Sequence, residues 1–112
     1  MTSDSSESFQ RLFRTSELVD GKVTVGRLGI KQIAVVRHEG SLYAFRNRCP
    51  HAGERLSRGR ICGSAIECPR HGWRFVLEDG RSPGHPTYSL RKYDVRERDG
   101  WIEVRQRETE IW

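Results

Sequence analysis

Residues 49–75 read CPHAGERLSRGRICGSAIECPRHGWRF. This stretch holds all three cysteines of the chain and two of its four histidines. Within it, Cys49-x-His51 is followed by sixteen residues and then by Cys68-x-x-His71. Four ligand-type side chains in two close pairs can meet around one site when two loops face each other. Two thiolates with two imidazoles suit zinc or iron–sulfur chemistry. The order of the four separates these. A zinc finger keeps its cysteines together and its histidines together, whereas here each loop carries one of each. Alternation follows naturally when each loop supplies a thiolate to one iron and an imidazole to a second, as in a [2Fe–2S] pair with two histidines. A structural zinc site stays open as the alternative at this point.

Outward from this stretch the chain reads as short strands: Gln10–Arg14, Lys22–Leu28, Gln32–Arg37, Ser41–Phe45, Ser64–Cys68, Arg74–Leu77, Ser89–Arg96 and Trp101–Arg105. The pairs Asp20-Gly21, Glu39-Gly40, Asp79-Gly80 and Asp99-Gly100 supply turn chemistry between them. "TSELVDG" has room for one helical turn. Strands this short and this evenly spaced predict an all-β fold, a small antiparallel β-sandwich or barrel. From Asn47 to about Pro86 the rhythm breaks, and all four prolines of the chain fall there. A loop-rich segment of that length needs ligands to keep it ordered. Residues 1–8 are Ser-rich and nearly without apolar side chains, which predicts a disordered tail before a single domain over residues 9–112.

The chain has 112 residues, 35% of them hydrophobic and 31% charged, so its core is thin and an added fastening is expected. No apolar run approaches a membrane span, and "MTSDSSESF" lacks the basic start and apolar stretch of a secretory signal. Three cysteines, an odd number, argue for ligation in a reducing compartment rather than a disulfide scaffold. A cytoplasmic location is the expectation. The net charge is +5. Much of the positive excess lies on and around the Cys/His stretch, at Arg46, Arg48, Arg55, Arg58, Arg60, Arg70 and Arg74. These arginines are scattered through glycine-rich loops, not set along a helix or interleaved with stacking aromatics, so nucleic acid is not the expected partner. An acidic redox partner, steered by charge, explains them more directly. Cys62 reads as a small half-buried residue, His38 as a surface histidine at a hairpin end, and Trp73, Phe75 and Trp101 as core.

"CPHAGERL" and "CPRHGWRF" resemble the two cluster loops of the Rieske family, whose motif is C-x-H, a spacer, then C-x-x-H. The resemblance covers nearly the whole chain, including "SPGHP" (Ser82–Pro86), which is similar to the proline-rich loop that covers the cluster in that family. It implies one [2Fe–2S] cluster, with Cys49 and Cys68 on the inner iron and His51 and His71 on the outer one, inside a cluster-binding subdomain of about residues 47–86. High-potential members carry an extra cysteine in each loop, where this chain has Glu54 and Arg70. They also carry a serine and a tyrosine that hydrogen-bond the cluster, where this chain has Trp73 and Phe75. The resemblance therefore implies a potential at the low end of the Rieske range, roughly −150 mV rather than +300 mV.

The function so implied is a soluble, non-catalytic ferredoxin. It would pass electrons from an NAD(P)H-dependent flavoprotein reductase to a terminal oxygenase of the aromatic-ring-hydroxylating kind. A small subunit of an assimilatory nitrite reductase is the alternative, and a zinc-stabilised binding module a more distant one. A complete oxygenase subunit is not the expectation, since it would need a further domain with a mononuclear iron site, and only His38 and His85 remain unassigned in these 112 residues.

Overall fold

The computed structural model describes residues 9–107, so the tail expected over residues 1–8 lies outside the described residues. The strands are β1 (Gln10–Arg14), β2 (Thr24–Leu28), β3 (Lys31–His38), β4 (Ser41–Arg46), β5 (Arg60–Cys62), β6 (Ala65–Glu67), β7 (Arg74–Val76), β8 (Arg81–Ser82), β9 (His85–Ser89), β10 (Lys92–Arg98) and β11 (Trp101–Gln106). Two single 3-10 turns, Thr15–Glu17 and Leu56–Arg58, are the only helical segments among the described residues. The first is the turn expected from "TSELVDG".

Six antiparallel strands form one sheet in the order β1-β11-β10-β4-β3-β2. The sheet curls until its edges nearly meet. Leu12 of β1 lies over Gly26 of β2, where a Cβ would sit 2.4 Å from the leucine Cγ. An absent side chain thus lets the barrel approach closure. Two hairpins fall where the sequence places them. Glu39-Gly40 has φ of 51° and 83°, and Asp99-Gly100 has 55° and 81°, the double left-handed pattern of a two-residue turn. Asp20-Gly21 and Asp79-Gly80 differ, because only their glycines are left-handed. The latter joins strands that do not pair. There the Asp79 carboxylate accepts the Arg81 N–H at 2.9 Å, a side-chain-closed turn.

The stretch expected to be loop-rich is a lobe of short strands. β5, β6 and β7 make a three-stranded sheet, and β8 and β9 a two-stranded one turned at Pro83-Gly84. β6 and β7 fall within the expected Ser64–Cys68 and Arg74–Leu77, whereas β5 and β8, of three and two residues, are too short to show a period, which is why the sequence hides them. The single strand expected over Ser89–Arg96 is two strands. Between them the Leu90 N–H donates to Gly80 and the Arg91 carbonyl accepts from Arg46, so the chain crosses there from lobe to barrel.

Two cores result, and β3 belongs to both. Ile33 and Val35 face the barrel interior with Phe13, Ala44, Tyr93, Ile102 and Val104. Ala34 and Val36 face the lobe with Phe45, Leu56, Ile66, Phe75, Leu77 and Leu90. A strand buried on both faces reads as a continuous apolar run rather than an alternation. Burying a side chain such as Phe45 or Phe75 stabilises the fold by about 1.5–3 kcal/mol. Trp101 departs from its expected core position: it is half-buried on the barrel surface, under the guanidinium groups of Arg11 and Arg14 at 4.9 and 4.6 Å.

Candidate metal centre

The two cysteine-bearing loops make the same turn twice. In the first, the Cys49 N–H donates to Glu54 and the Gly53 N–H to Cys49, both at 2.8 Å. In the second, the Cys68 N–H donates to Trp73 at 2.7 Å and the Gly72 N–H to Cys68 at 3.1 Å. The fifth residue of each turn is a glycine at φ 73°, a backbone state that a side chain makes costly. Cysteine therefore takes the first place in both loops. Histidine takes the third in one loop and the fourth in the other.

This geometry sorts the four side chains by depth. Cys49 and Cys68 are each 1% exposed, both within the lobe core, and Cys68 is near enough to act on the Cys49 thiol. Burial pushes the Cys49 thiol up. The Ala52 and His51 N–H groups act against that, and the neighbouring Cys68 adds to it. The Ala52 N–H reaches the Cys49 sulfur at 3.4 Å. His51 and His71 are exposed, with ring centroids 5.5 Å apart. Buried sulfurs inside and imidazoles at the surface fit a two-iron cluster with one sulfur-ligated and one nitrogen-ligated iron. Among the described residues no group of three or more histidine, cysteine or acidic side chains is placed to hold a metal ion, these four included.

Aromatic rings wall one side. Trp73 stacks flat on His51 at 3.8 Å and on His85 at 3.5 Å, so it is sandwiched between two imidazoles. Tyr88 meets His51 and Trp73 edge-on at 5.7 and 5.2 Å. His85, half-buried in the β8–β9 hairpin, thus touches the site through Trp73. Phe75 is fully buried in the lobe core, as expected of it.

Charges tie the loops together. Arg70 Nη1 lies 4.0 Å from Glu54 Oε1, an ion pair from one loop to the other, and Arg58 approaches the same carboxylate at 3.7 Å. The hydrogen bond from Arg74, helped by Arg60, holds the Glu67 carboxyl below the usual carboxylate range, outweighing the opposing effect of burial. Cys62, at the end of β5, is half-buried and unpaired with another cysteine, and His38 is half-buried beside Glu39 at 3.7 Å.

Two supports escape the sequence reading. Asn47 is buried, and its side chain donates to Gln32 at 3.1 Å and Ser57 at 2.9 Å while accepting the Ser57 N–H at 2.8 Å. It pins the return of the first loop to β3. Gly59 lies so close to the second loop that a Cβ there would sit 1.8 Å from the Glu67 carbonyl oxygen. The only sequence signal for Asn47 is its place between a strand end and the first cysteine.

A family model described as the Rieske [2Fe-2S] domain matches residues 8–94. The ferredoxin component of the naphthalene 1,2-dioxygenase system of Pseudomonas putida is 34% identical over 82 residues, covering 72% of this chain and 79% of its own. A solved complex of reduced oxygenase and oxidised ferredoxin in carbazole 1,9a-dioxygenase contains a chain that superposes with a TM-score of 0.77 at 27% identity, covering 89% of this chain and 96% of that one. A putative NADH-dependent nitrite reductase small subunit from Mycobacterium tuberculosis superposes with a TM-score of 0.76 at 26% identity, covering 86% and 92%.

Proposed function

The chain belongs to the Rieske [2Fe–2S] domain family, and from that premise we propose that it is a ferredoxin, a one-electron carrier and not itself a catalyst. In this reading residues 9–112 form one domain, with the cluster-binding part over about residues 47–86. Cys49 and Cys68 hold the inner iron of one [2Fe–2S] cluster and His51 and His71 the outer. The cluster, when bound, takes up and gives back one electron. The carrying observation is the division by depth: two buried cysteines and two exposed imidazoles. The buried sulfurs keep water from the inner side, and the amide of Ala52 donates toward sulfur. The imidazole rings, exposed at the tip, are the shortest way to a partner's surface. Anionic thiolates favour ferric iron more than neutral imidazoles do, so His51 and His71 would ligate the iron that is the easier of the two to reduce.

The named roles of the relatives support the place of this carrier. In this reading electrons come from an NAD(P)H-dependent flavoprotein reductase and pass to a terminal oxygenase of the aromatic-ring-hydroxylating type, the latter supported by a solved complex of an oxygenase with its ferredoxin. No helix of the described residues is long and apolar enough to cross a membrane. Three unpaired cysteines suit the reducing cytoplasm.

The test is an absorption spectrum of anaerobically purified protein, followed by dithionite reduction and low-temperature EPR. A red-brown protein whose reduced form has an average g value well below that of an all-cysteine cluster supports the ligand set. A colourless protein holding one zinc per chain refutes it. The close superposition with a nitrite reductase small subunit favours a second reading, a subunit of such a reductase. Stable co-purification with a large sirohaem-containing chain would decide for it.

A further inference from the structure

Three arginines converge beside the first cysteine loop. The Arg46 N–H donates to the Arg91 carbonyl at 2.8 Å. This sets the end of β4 against the start of β10, and Arg48 follows two residues on. With Pro50 on one wall and Thr87, Tyr88 and Ser89 of β9 on the other, they line a groove of about 380 Å³. The carboxylates nearest the cysteine loops are already engaged, Glu54 by Arg58 and Arg70, and Glu67 by Arg60 and Arg74. Among the described residues no carboxylate lies within 4.0 Å of the Arg46 or Arg48 guanidinium. Among the described residues, Arg46 and Arg48 thus give the groove two guanidinium groups with no carboxylate beside them, at a wall edged with hydroxyls. Its wall residue Pro50 stands between Cys49 and His51, and its rim residue Tyr88 meets the His51 ring at 5.7 Å.

We propose that this groove seats an acidic segment of the protein redox partner, its Asp or Glu carboxylates forked on Arg46 and Arg48, and so orients that partner over the His51 side of the cluster. The inference rests on the electron-carrier reading above. Guanidinium groups take carboxylates in two parallel hydrogen bonds, which fixes direction as well as charge. The exposed Arg48, Arg55 and Arg70 extend the same sign of charge around the cluster tip, a field that steers an acidic protein and not merely a small anion.

The experiment uses the cluster-loaded protein and, as probe, a photoreduced plant-type [2Fe–2S] ferredoxin of strongly acidic surface as electron donor. The second-order rate of electron transfer is followed by stopped flow at low and at physiological salt. Arg46→Glu with Arg48→Glu should slow transfer about tenfold or more at low salt and remove most of the salt dependence, with the cluster's EPR signal unchanged and the rates compared at the driving force given by each variant's own measured potential. Arg98→Glu, the same kind of charge reversal at the far end of β10, should slow it less than twofold. Equal losses at both places would mean that overall charge, not the groove, guides docking, and would overturn the proposal. So would an unchanged rate in the double variant. If inorganic phosphate at constant ionic strength abolishes the wild-type preference while chloride does not, the groove is a small-anion pocket and the docking proposal falls. In each of these outcomes an intact EPR signal leaves the carrier reading standing, whereas its absence from the wild-type protein would sink that reading first.

Discussion

At Gly59 the two cysteine loops come into backbone contact, and no side chain fits between them. An added methyl would meet the Glu67 carbonyl at 1.8 Å and the Pro69 ring at 3.2 Å, and neither belongs to a flexible side chain. Gly59→Ala should therefore cost about 3 kcal/mol, the upper range for overpacking, and lower the thermal midpoint by roughly 10 °C or more. A calorimetric midpoint within 2–3 °C of the wild type, the size of a ΔΔG well under 1 kcal/mol, would mean that the loops separate freely. The φ of Gly59 is −86°, an ordinary value, so the cost is one of contact and not of backbone conformation. Residue-level chemistry of this kind is only partly legible beforehand. The ligand-type residues announce themselves by type and spacing. Gly59 looks like any loop glycine until the facing carbonyl is seen, because the contact spans eight residues of sequence and depends on how the lobe folds back.

Asn47 plays the same part between elements. It joins β3, through Gln32, to the 3-10 turn, through Ser57, and it is buried. Asn47→Ala leaves the Ser57 N–H and the Gln32 side chain without their partner, which should cost about 2 kcal/mol. Amide exchange is expected to quicken over residues 48–58 while β10 and β11 stay protected. Uniform acceleration would show that Asn47 serves the whole fold rather than this loop. On the far side of the barrel, Asp94 of β10 faces Arg105 of β11, with Arg105 Nη2 at 2.8 Å and Arg107 Nε at 3.1 Å. Burial pushes the Asp94 carboxyl up, but the hydrogen bonds and charges of the two arginines outweigh it, and the net shift is downward. The carboxylate thus stabilises the fold in full above the unfolded value of about 3.9. That contribution is lost as pH falls through the lower folded value. Denaturant midpoints taken from pH 6 to pH 2 should drop more steeply for the wild type than for Asp94→Asn, and parallel curves would rule the pair out as an acid-sensitive element. Elements long enough to show a period were legible in the sequence: β1, β3, β4 and β11, with hairpin turns at Glu39-Gly40 and Asp99-Gly100. The short strands β5, β8 and β9 were not, because their order comes from the lobe core and the two turns rather than from their own composition.

For the molecule as a whole, the reduction potential tests the site's surroundings together. Phe75 is buried in the lobe core and Trp73 lies between two histidine rings. Neither brings a hydroxyl to the cysteines. Voltammetry of the loaded protein should give a potential near the low end of the Rieske range, about −150 mV. A value near +300 mV would require strong donors that these two side chains do not supply. The barrel and the family were readable from one motif and a run of short strands, while the lobe was readable only as a loop-rich segment. The groove was not, since Arg46, Arg48 and Arg91 come together only through the backbone contact of β4 with the start of β10.

Strand β3 has apolar neighbours on both faces and no side open to solvent between Ile33 and Val36. It forms the wall against which the lobe core, with Cys49 and Cys68 in it, is packed. Close-packed interiors yield little under load. Cys49 and Cys68, buried in that core, are held by atoms that have almost nowhere to go, while the imidazoles of His51 and His71 stay exposed. The barrel thereby gives the two buried cysteines a floor that does not yield.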